Sequence, residues 1–273
     1  MQKKIAAALL LLCIAFAGFS RSNIFPTGAK AKGMGDAFVS QFDVFSVYNN
    51  QAGLANLKRS SVAFFYENPF LVQELSLRAG VFAFTTGTGN FAVHINSFGP
   101  ALWSESNAGI AFAKHLSDKL SAGIELSYFG TKLPETAGLL SSFSFEFGAI
   151  YQLNDKTFLG AHFANLYSTP IKTLAYEEQI PWQINLGGHT IFTDQFILSY
   201  QVGLEKETVP QLKVGAQWEA VENFFIRGGL NTSPSRVFLG LGYHTSFLEI
   251  ETAFSYHRIM GYTPSVSLIF SFM

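Results

Sequence analysis

Apolar and polar residues alternate strictly in blocks of about ten from residue 60 onward, and this limits the chain's possible folds more than any other feature. In one block Leu248, Ile250, Thr252, Phe254 and Tyr256 are interleaved with Glu249, Glu251, Ala253 and Ser255. In another, Phe196, Leu198, Tyr200, Val202 and Leu204 are interleaved with Ser199, Gln201, Gly203 and Glu205. A period of two sends successive side chains to opposite faces of a strand. Each block therefore has one oily face and one face of Gly, Ser, Gln or charge. About 14 such blocks follow one another, from 60–66 through 141–152 and 247–256 to 263–272.

Composition decides which face is outside. Charged residues make up only 14% and hydrophobic residues 48%, with 29 Phe; a soluble domain carries about 25% charge. The polar faces are too poor in charge to form a solvated exterior, as a lipocalin-like soluble barrel would require. The oily face then lies outward in lipid. Strands of about 9–11 residues cross a bilayer when tilted, and a closed barrel leaves no unpaired edge. The expected fold is all-β: a transmembrane antiparallel β-barrel of about 14 strands with a short N-terminal helical plug.

Two further patterns agree. Tyr128, Tyr151, Trp182, Trp218, Tyr243, Tyr256 and Tyr262 lie near strand ends, where amphipathic rings sit at a membrane boundary; Tyr200 is the exception. Tight connections, as at 153–156 and 193–194, alternate with generally longer ones, of which 166–180 is the longest. Short turns are expected at the periplasmic rim and long loops outside.

The first residues have the shape of a secretory signal, expected to span 1–20 and to be cleaved. Lys3 and Lys4 precede an apolar run from 5 to 17, too short to cross a bilayer as a helix. Cys13, the single cysteine, falls within it, so no disulfide or thiolate site is expected in the exported chain. The expected location is the bacterial outer membrane. The expected divisions are a plug segment over 21–58 and the barrel over 59–273.

The plug segment does not alternate. Gly28, Gly33 and Gly35 mark bends or close approaches. Asp36 and Asp43 are candidate helix N-caps, and Val44, Val47 and Tyr48 have helical spacing. The string Gly28-Ala29-Lys30-Ala31-Lys32-Gly33-Met34-Gly35-Asp36-Ala37-Phe38-Val39, followed by Asp43 and then Asn50-Gln51-Ala52-Gly53-Leu54-Ala55, resembles the N-terminal signature of PorV/PorQ and FadL-like outer-membrane proteins. Gln51 stands where that family usually has Pro. The resemblance implies a plugged 14-stranded barrel. Its members include transporters of hydrophobic molecules and components of type IX secretion. The short loops favour an accessory of protein secretion or surface attachment acting through protein partners. The alternative is a FadL-like channel for hydrophobic small molecules.

Enzyme chemistry is not expected. The six histidines show no metal-binding spacing, no G-x-S-x-G is present, and Gly33-Met34-Gly35 lacks the third glycine of a dinucleotide loop. No catalytic residue, metal or cofactor is therefore expected. With 18 basic against 19 acidic residues, nucleic acid is excluded as a partner for want of a basic surface. The partners expected are membrane lipid with either secretion proteins or a hydrophobic small molecule. Arg78, Glu125, Glu146, Gln183, Asn185, Gln201, Glu205, Lys213, Arg227, Glu249 and Glu251 are expected to face the lumen, pairing with one another and with the plug.

Overall fold

The structure is a computed structural model that describes residues 28–100, 103–132, 139–172, 177–178 and 180–272. The expected signal segment, 1–20, and the first part of the expected plug segment, 21–27, lie outside these residues. The first strands are β1 (Ser60–Glu67), β2 (Leu77–Thr86), β3 (Gly89–Phe98), β4 (Ser104–Ser117), β5 (Leu120–Lys132), β6 (Leu139–Asn154) and β7 (Thr157–Ser168). A two-residue ribbon follows, β8 (Ile171–Lys172) with β9 (Glu177–Glu178). The remaining strands are β10 (Gln183–Thr193), β11 (Phe196–Glu205), β12 (Gln211–Val221), β13 (Phe224–Thr232), β14 (Ser235–His244), β15 (Leu248–His257) and β16 (Gly261–Phe272).

All but the ribbon close into one antiparallel barrel of 14 strands, in chain order, with β7 pairing β10 and β16 pairing β1. Closure satisfies the ladder at every strand, which a lipid-facing sheet requires. The alternation becomes two faces. On β15, Ile250, Phe254 and Tyr256 are exposed, while Glu251, Ala253 and Ser255 are buried. Tyr151, Trp182, Trp218, Tyr243, Tyr256 and Tyr262 are exposed on the outer side.

Residues 28–58 lie against the inward faces of the strands and are nearly all buried from Gly28 to Ala55. They form two short helices, α1 (Ala29–Gly33) and α2 (Ser46–Asn49), and a 3₁₀ turn, Gln51–Asn56. Gly35 (φ 66°) and Asp36 (φ 60°) turn the chain sharply after α1, a left-handed conformation natural for Gly and tolerated by Asp. The N-cap expectation fails for both acids. No side chain caps α1 or α2, whose N-caps are Gly28 and Phe45. Asn50 is the side chain that caps, accepting from Ala52 N at 3.1 Å at the start of the 3₁₀ turn.

The segment is bedded on two different surfaces. On one side Val44, Phe45, Val47, Tyr48 and Leu54 pack on Ala63, Phe65, Leu77, Ala79, Val81 and Ala83 of β1 and β2. The inner faces of these two strands are therefore largely apolar, with Ser61 and Glu67 near the ends of β1, and the expected polar inner face is absent between them. The reason is that they meet side chains, not water. On the other side the strands offer glycines, hydroxyls and charges.

Arg78 departs from its expected lumenal position. It shares the outer parity of β2 with Phe82 and Phe84 and is exposed. It sits at the strand's second residue and donates to Ser76 Oγ at 3.3 Å. At that depth a guanidinium reaches the polar rim, so the charge need not turn inward.

Register shifts in several ladders lie beside tight turns, and one in the β6–β7 ladder lies away from them. In β7, Ala164 pairs Glu146 and Tyr167 pairs Phe145, leaving Asn165 and Leu166 as a bulge with Asn165 at φ 54°.

Candidate functional site

The polar bed of residues 28–58 is the candidate site. Gly123 and Gly148, on the paired strands β5 and β6, leave room for the 3₁₀ turn. A Cβ on Gly123 would lie 2.6 Å from Gln51 C, and one on Gly148 would overlap Asn50 Oδ1. Into this gap Asn50, fully buried, donates from Nδ2 to Val39 O (2.6 Å), Ala149 O (3.2 Å) and Ala161 O (3.2 Å). One side chain thus ties the segment to itself and to two strands.

Gln51 is the centre of a buried chain of side chains. Its Nε2 donates to Glu125 Oε2 (3.1 Å) and Glu146 Oε2 (2.8 Å). Glu125 Oε1 is 2.7 Å from His94 Nε2, and Glu146 Oε2 is 3.0 Å from His162 Nε2. Tyr48 stacks its ring edge on His94 at 4.5 Å and donates to Ile95 O at 3.0 Å. A proline at this position could donate nothing to either carboxylate. Gln51→Leu leaves two buried carboxylates each short of a donor, and hydrogen bonds to charged groups contribute about 1.5–3 kcal/mol apiece. We expect a loss of about 3 kcal/mol or more, read as a lower unfolding midpoint in urea.

Further along, the strands supply acceptors and donors to irregular backbone that cannot satisfy itself. Gln201 Oε1 accepts from Phe38 N and Val39 N, both at 3.0 Å, and its Nε2 donates to Asn185 Oδ1 at 2.9 Å. Ser40 Oγ meets His189 Nδ1 at 3.0 Å, and Gln41 Nε2 donates to Ser199 Oγ at 2.9 Å. Ser267 Oγ accepts from Ala29 N at 2.8 Å.

Charge is concentrated in two places. Arg227 and Glu251 form a buried pair: Arg227 Nη1 and Nη2 donate to both carboxylate oxygens and Nε donates to Gln217 Oε1 at 2.7 Å. At the other end, Lys32 Nζ lies 3.7 Å from Asp36 and 3.4 Å from Glu67.

Two cavities flank α1. The first, about 250 Å³, opens toward the longer-loop rim and is lined by Lys32, Asp36, Gln183, Glu205, Lys213 and Arg236, among others. The second, about 330 Å³, lies at the tight-turn rim and is lined by Lys30, Asp43, Arg59, His244 and Glu249, among others. Lys30 and Lys32, two residues apart on α1, thus belong to opposite cavities. Burial pushes the Asp43 carboxyl up to about 6; nearby Lys30 counteracts this and Glu249 and Glu251 add to it.

Of the residues singled out from sequence, Gly28, Gly33, Gly35, Asp36, Asp43, Asn50 and Gly53 are all buried in the inward segment. Glu125 and Glu146 meet at Gln51, Arg227 and Glu251 pair, Glu249 joins the second cavity, and Glu205 and Lys213 share the first. Arg78 joins none of these. Sequence reasoning missed Gln51, His94, His162, His189 and His244 as partners. Parity was the available signal: His94 has the same parity as buried Asn90 and Asn96 on β3.

No family model matches the chain, and no curated protein does. Solved structures do. The toluene transporter TodX of P. putida matches with a TM-score of 0.68 and 12% identity, over 90% of this chain and 98% of that one. The toluene transporter TbuX of Ralstonia pickettii matches at 0.65 and 13%, over 91% and 98%. A FadL homologue of Pseudomonas aeruginosa matches at 0.61 and 14%, over 92% and 98%. These likenesses overturn the expectation of a secretion accessory. That preference rested on loop length, a property of the rim, whereas the barrel as a whole matches hydrocarbon transporters. The chain has the fold of FadL-like transport barrels.

Proposed function

We propose that this protein is a FadL-like, non-enzymatic channel for hydrophobic small molecules in the bacterial outer membrane. In this reading residues 1–20 are a cleaved signal, 21–58 a plug and 59–273 the barrel. The observation that carries the proposal is the fold shared with toluene transporters over about nine-tenths of the chain. A second observation supports the plug: α1 stands between a cavity at one rim and a cavity at the other. The plug motif residues Gly28, Gly33, Gly35, Asn50 and Gly53 then serve to seat it. Glu125 and Glu146 hold it through Gln51, while Lys213, Arg227 and Glu251 line the wall around it.

The test is uptake. The full chain, expressed in an outer membrane lacking its own channel of this type, should raise the entry rate of toluene or a comparable apolar compound above that of the empty vector. Entry of small polar solutes should stay unchanged. Folded protein in the outer membrane with no gain in apolar uptake would refute the proposal.

A further inference from the structure

The tight-turn cavity holds a set of side chains that closing the lumen does not require. Glu249 and Glu251 are two apart on β15 and share its inward face, and the strand register places His244 of β14 opposite Glu249. His244 Nε2 is 2.6 Å from Glu251 Oε1 and 3.7 Å from Glu249 Oε2. One donor atom from each of the three lies within 4.8 Å of the others. We propose that His244, Glu249 and Glu251 form a binding site for a divalent transition-metal cation of the zinc type. One imidazole nitrogen with two carboxylates is a donor set such ions take, and an open side toward the cavity leaves a position for water.

Asp43 supplies an independent reason. It is 8% exposed, it lines the same cavity as His244 and Glu249, and neither of its oxygens makes a hydrogen bond of ordinary geometry. A buried carboxylate whose oxygens lack well-formed hydrogen bonds is costly. A hydrated cation in the cavity offers both opposite charge and water hydrogens, so Asp43 would hold the ion's water and tie the inward segment to the wall. Arg227, gripping both oxygens of Glu251, fixes that carboxylate's orientation, as the groups behind metal ligands commonly do.

Arg227 holds Glu251, and Lys30 lies near Asp43 without pairing with it, so neither cation fills the gap between His244, Glu249 and Asp43. Lys30 sits over the Phe38 ring at 5.6 Å, Arg59 donates to Ser246 O, and Lys58 is exposed. Binding needs the Nε2 lone pair of His244. The ring proton then sits on Nδ1.

The experiment uses the full chain, tag removed, in detergent micelles after treatment with a chelator, titrated with zinc chloride in a calorimeter. One saturable site is expected. His244→Ala and Glu249→Gln should each weaken it by about tenfold or more, and Asp43→Asn by about tenfold. His115→Ala, an exposed histidine outside the cluster, should leave it unchanged. Heat-dependent gel migration checks that each variant is folded. Should His244→Ala fail to fold, the half-buried Glu249→Gln carries the test. X-ray absorption on the zinc-loaded protein should show one nitrogen and the rest oxygen at about 2.0–2.2 Å. No saturable site in the wild type, or equal affinity in folded Glu249→Gln, would overturn the proposal. Neither readout involves transport, so the outcome is separate from that of the channel reading.

Discussion

Arg227→Met should destabilise the folded barrel by about 3–5 kcal/mol, because it leaves the carboxylate of Glu251 buried without its cationic partner. Arg227 is 1% exposed and Glu251 0%, and the guanidinium fills both acceptor oxygens of the carboxylate. Methionine keeps much of the volume and removes every donor. Glu251 is then left with His244 alone. The pair itself is weak evidence for net stability, since two apolar residues of similar size can replace a buried ion pair at little cost. Arg227→Met with Glu251→Met should therefore recover most of the loss. Urea unfolding followed by tryptophan fluorescence gives both numbers. A single variant within about 1 kcal/mol of wild type would show that the carboxylate is neutral or hydrated, and the account of the lumen would be wrong at its most buried point.

The second large effect is on conductance. Gly215 of β12 and Gly229 of β13 are register partners, and both face the Met34–Gly35 backbone. A Cβ at 215 would overlap Met34 O, and one at 229 would overlap Gly35 N. Backbone cannot give way as a long side chain can. Each added side chain costs about 1–3 kcal/mol or more in overpacking, while the strand ladders around it are untouched. Gly215→Val with Gly229→Val should therefore push residues 28–58 off their bed and leave the barrel closed as a sheet. In planar bilayers the wild type should show no steady open-channel current, and the double variant should show one. Gly228→Val is the control, since a Cβ there meets only Phe238 O at 3.9 Å. A folded double variant as tight as wild type would contradict the plug.

Much of the barrel was legible because a two-residue period records which side of a strand meets lipid. The blocks read at 141–152 and 263–272 are the strands Leu139–Asn154 and Gly261–Phe272. Strand ends, set by turns and hydrogen bonds, moved by up to three residues. Arg78 was misplaced by treating every charge as lumenal; near a rim the bilayer no longer imposes that choice. The apolar inner face of β1 and β2 was hidden because it depends on what fills the lumen, and the inward segment has no periodicity that reveals its docking. The Gln51 network was illegible for a similar reason. Its five side chains come from the inward segment and four different strands, and nothing in their spacing along the chain brings them together. Function was misread from the loops, which report on the rims and say little of the wall.

The most direct test of the whole account is the direction in which β15 side chains point. In the proposed reading Cys13 leaves with the signal, so single cysteines introduced along 250–256 can carry a nitroxide, and collision with oxygen dissolved in lipid can be read at each position. The account requires high oxygen accessibility at positions 250, 252, 254 and 256 and low accessibility at 251, 253 and 255, a period of two with Phe254 and Tyr256 in lipid. The opposite phase, or a flat profile in the reconstituted protein, would mean that the oily face does not look outward, and the barrel as described could not stand in a membrane.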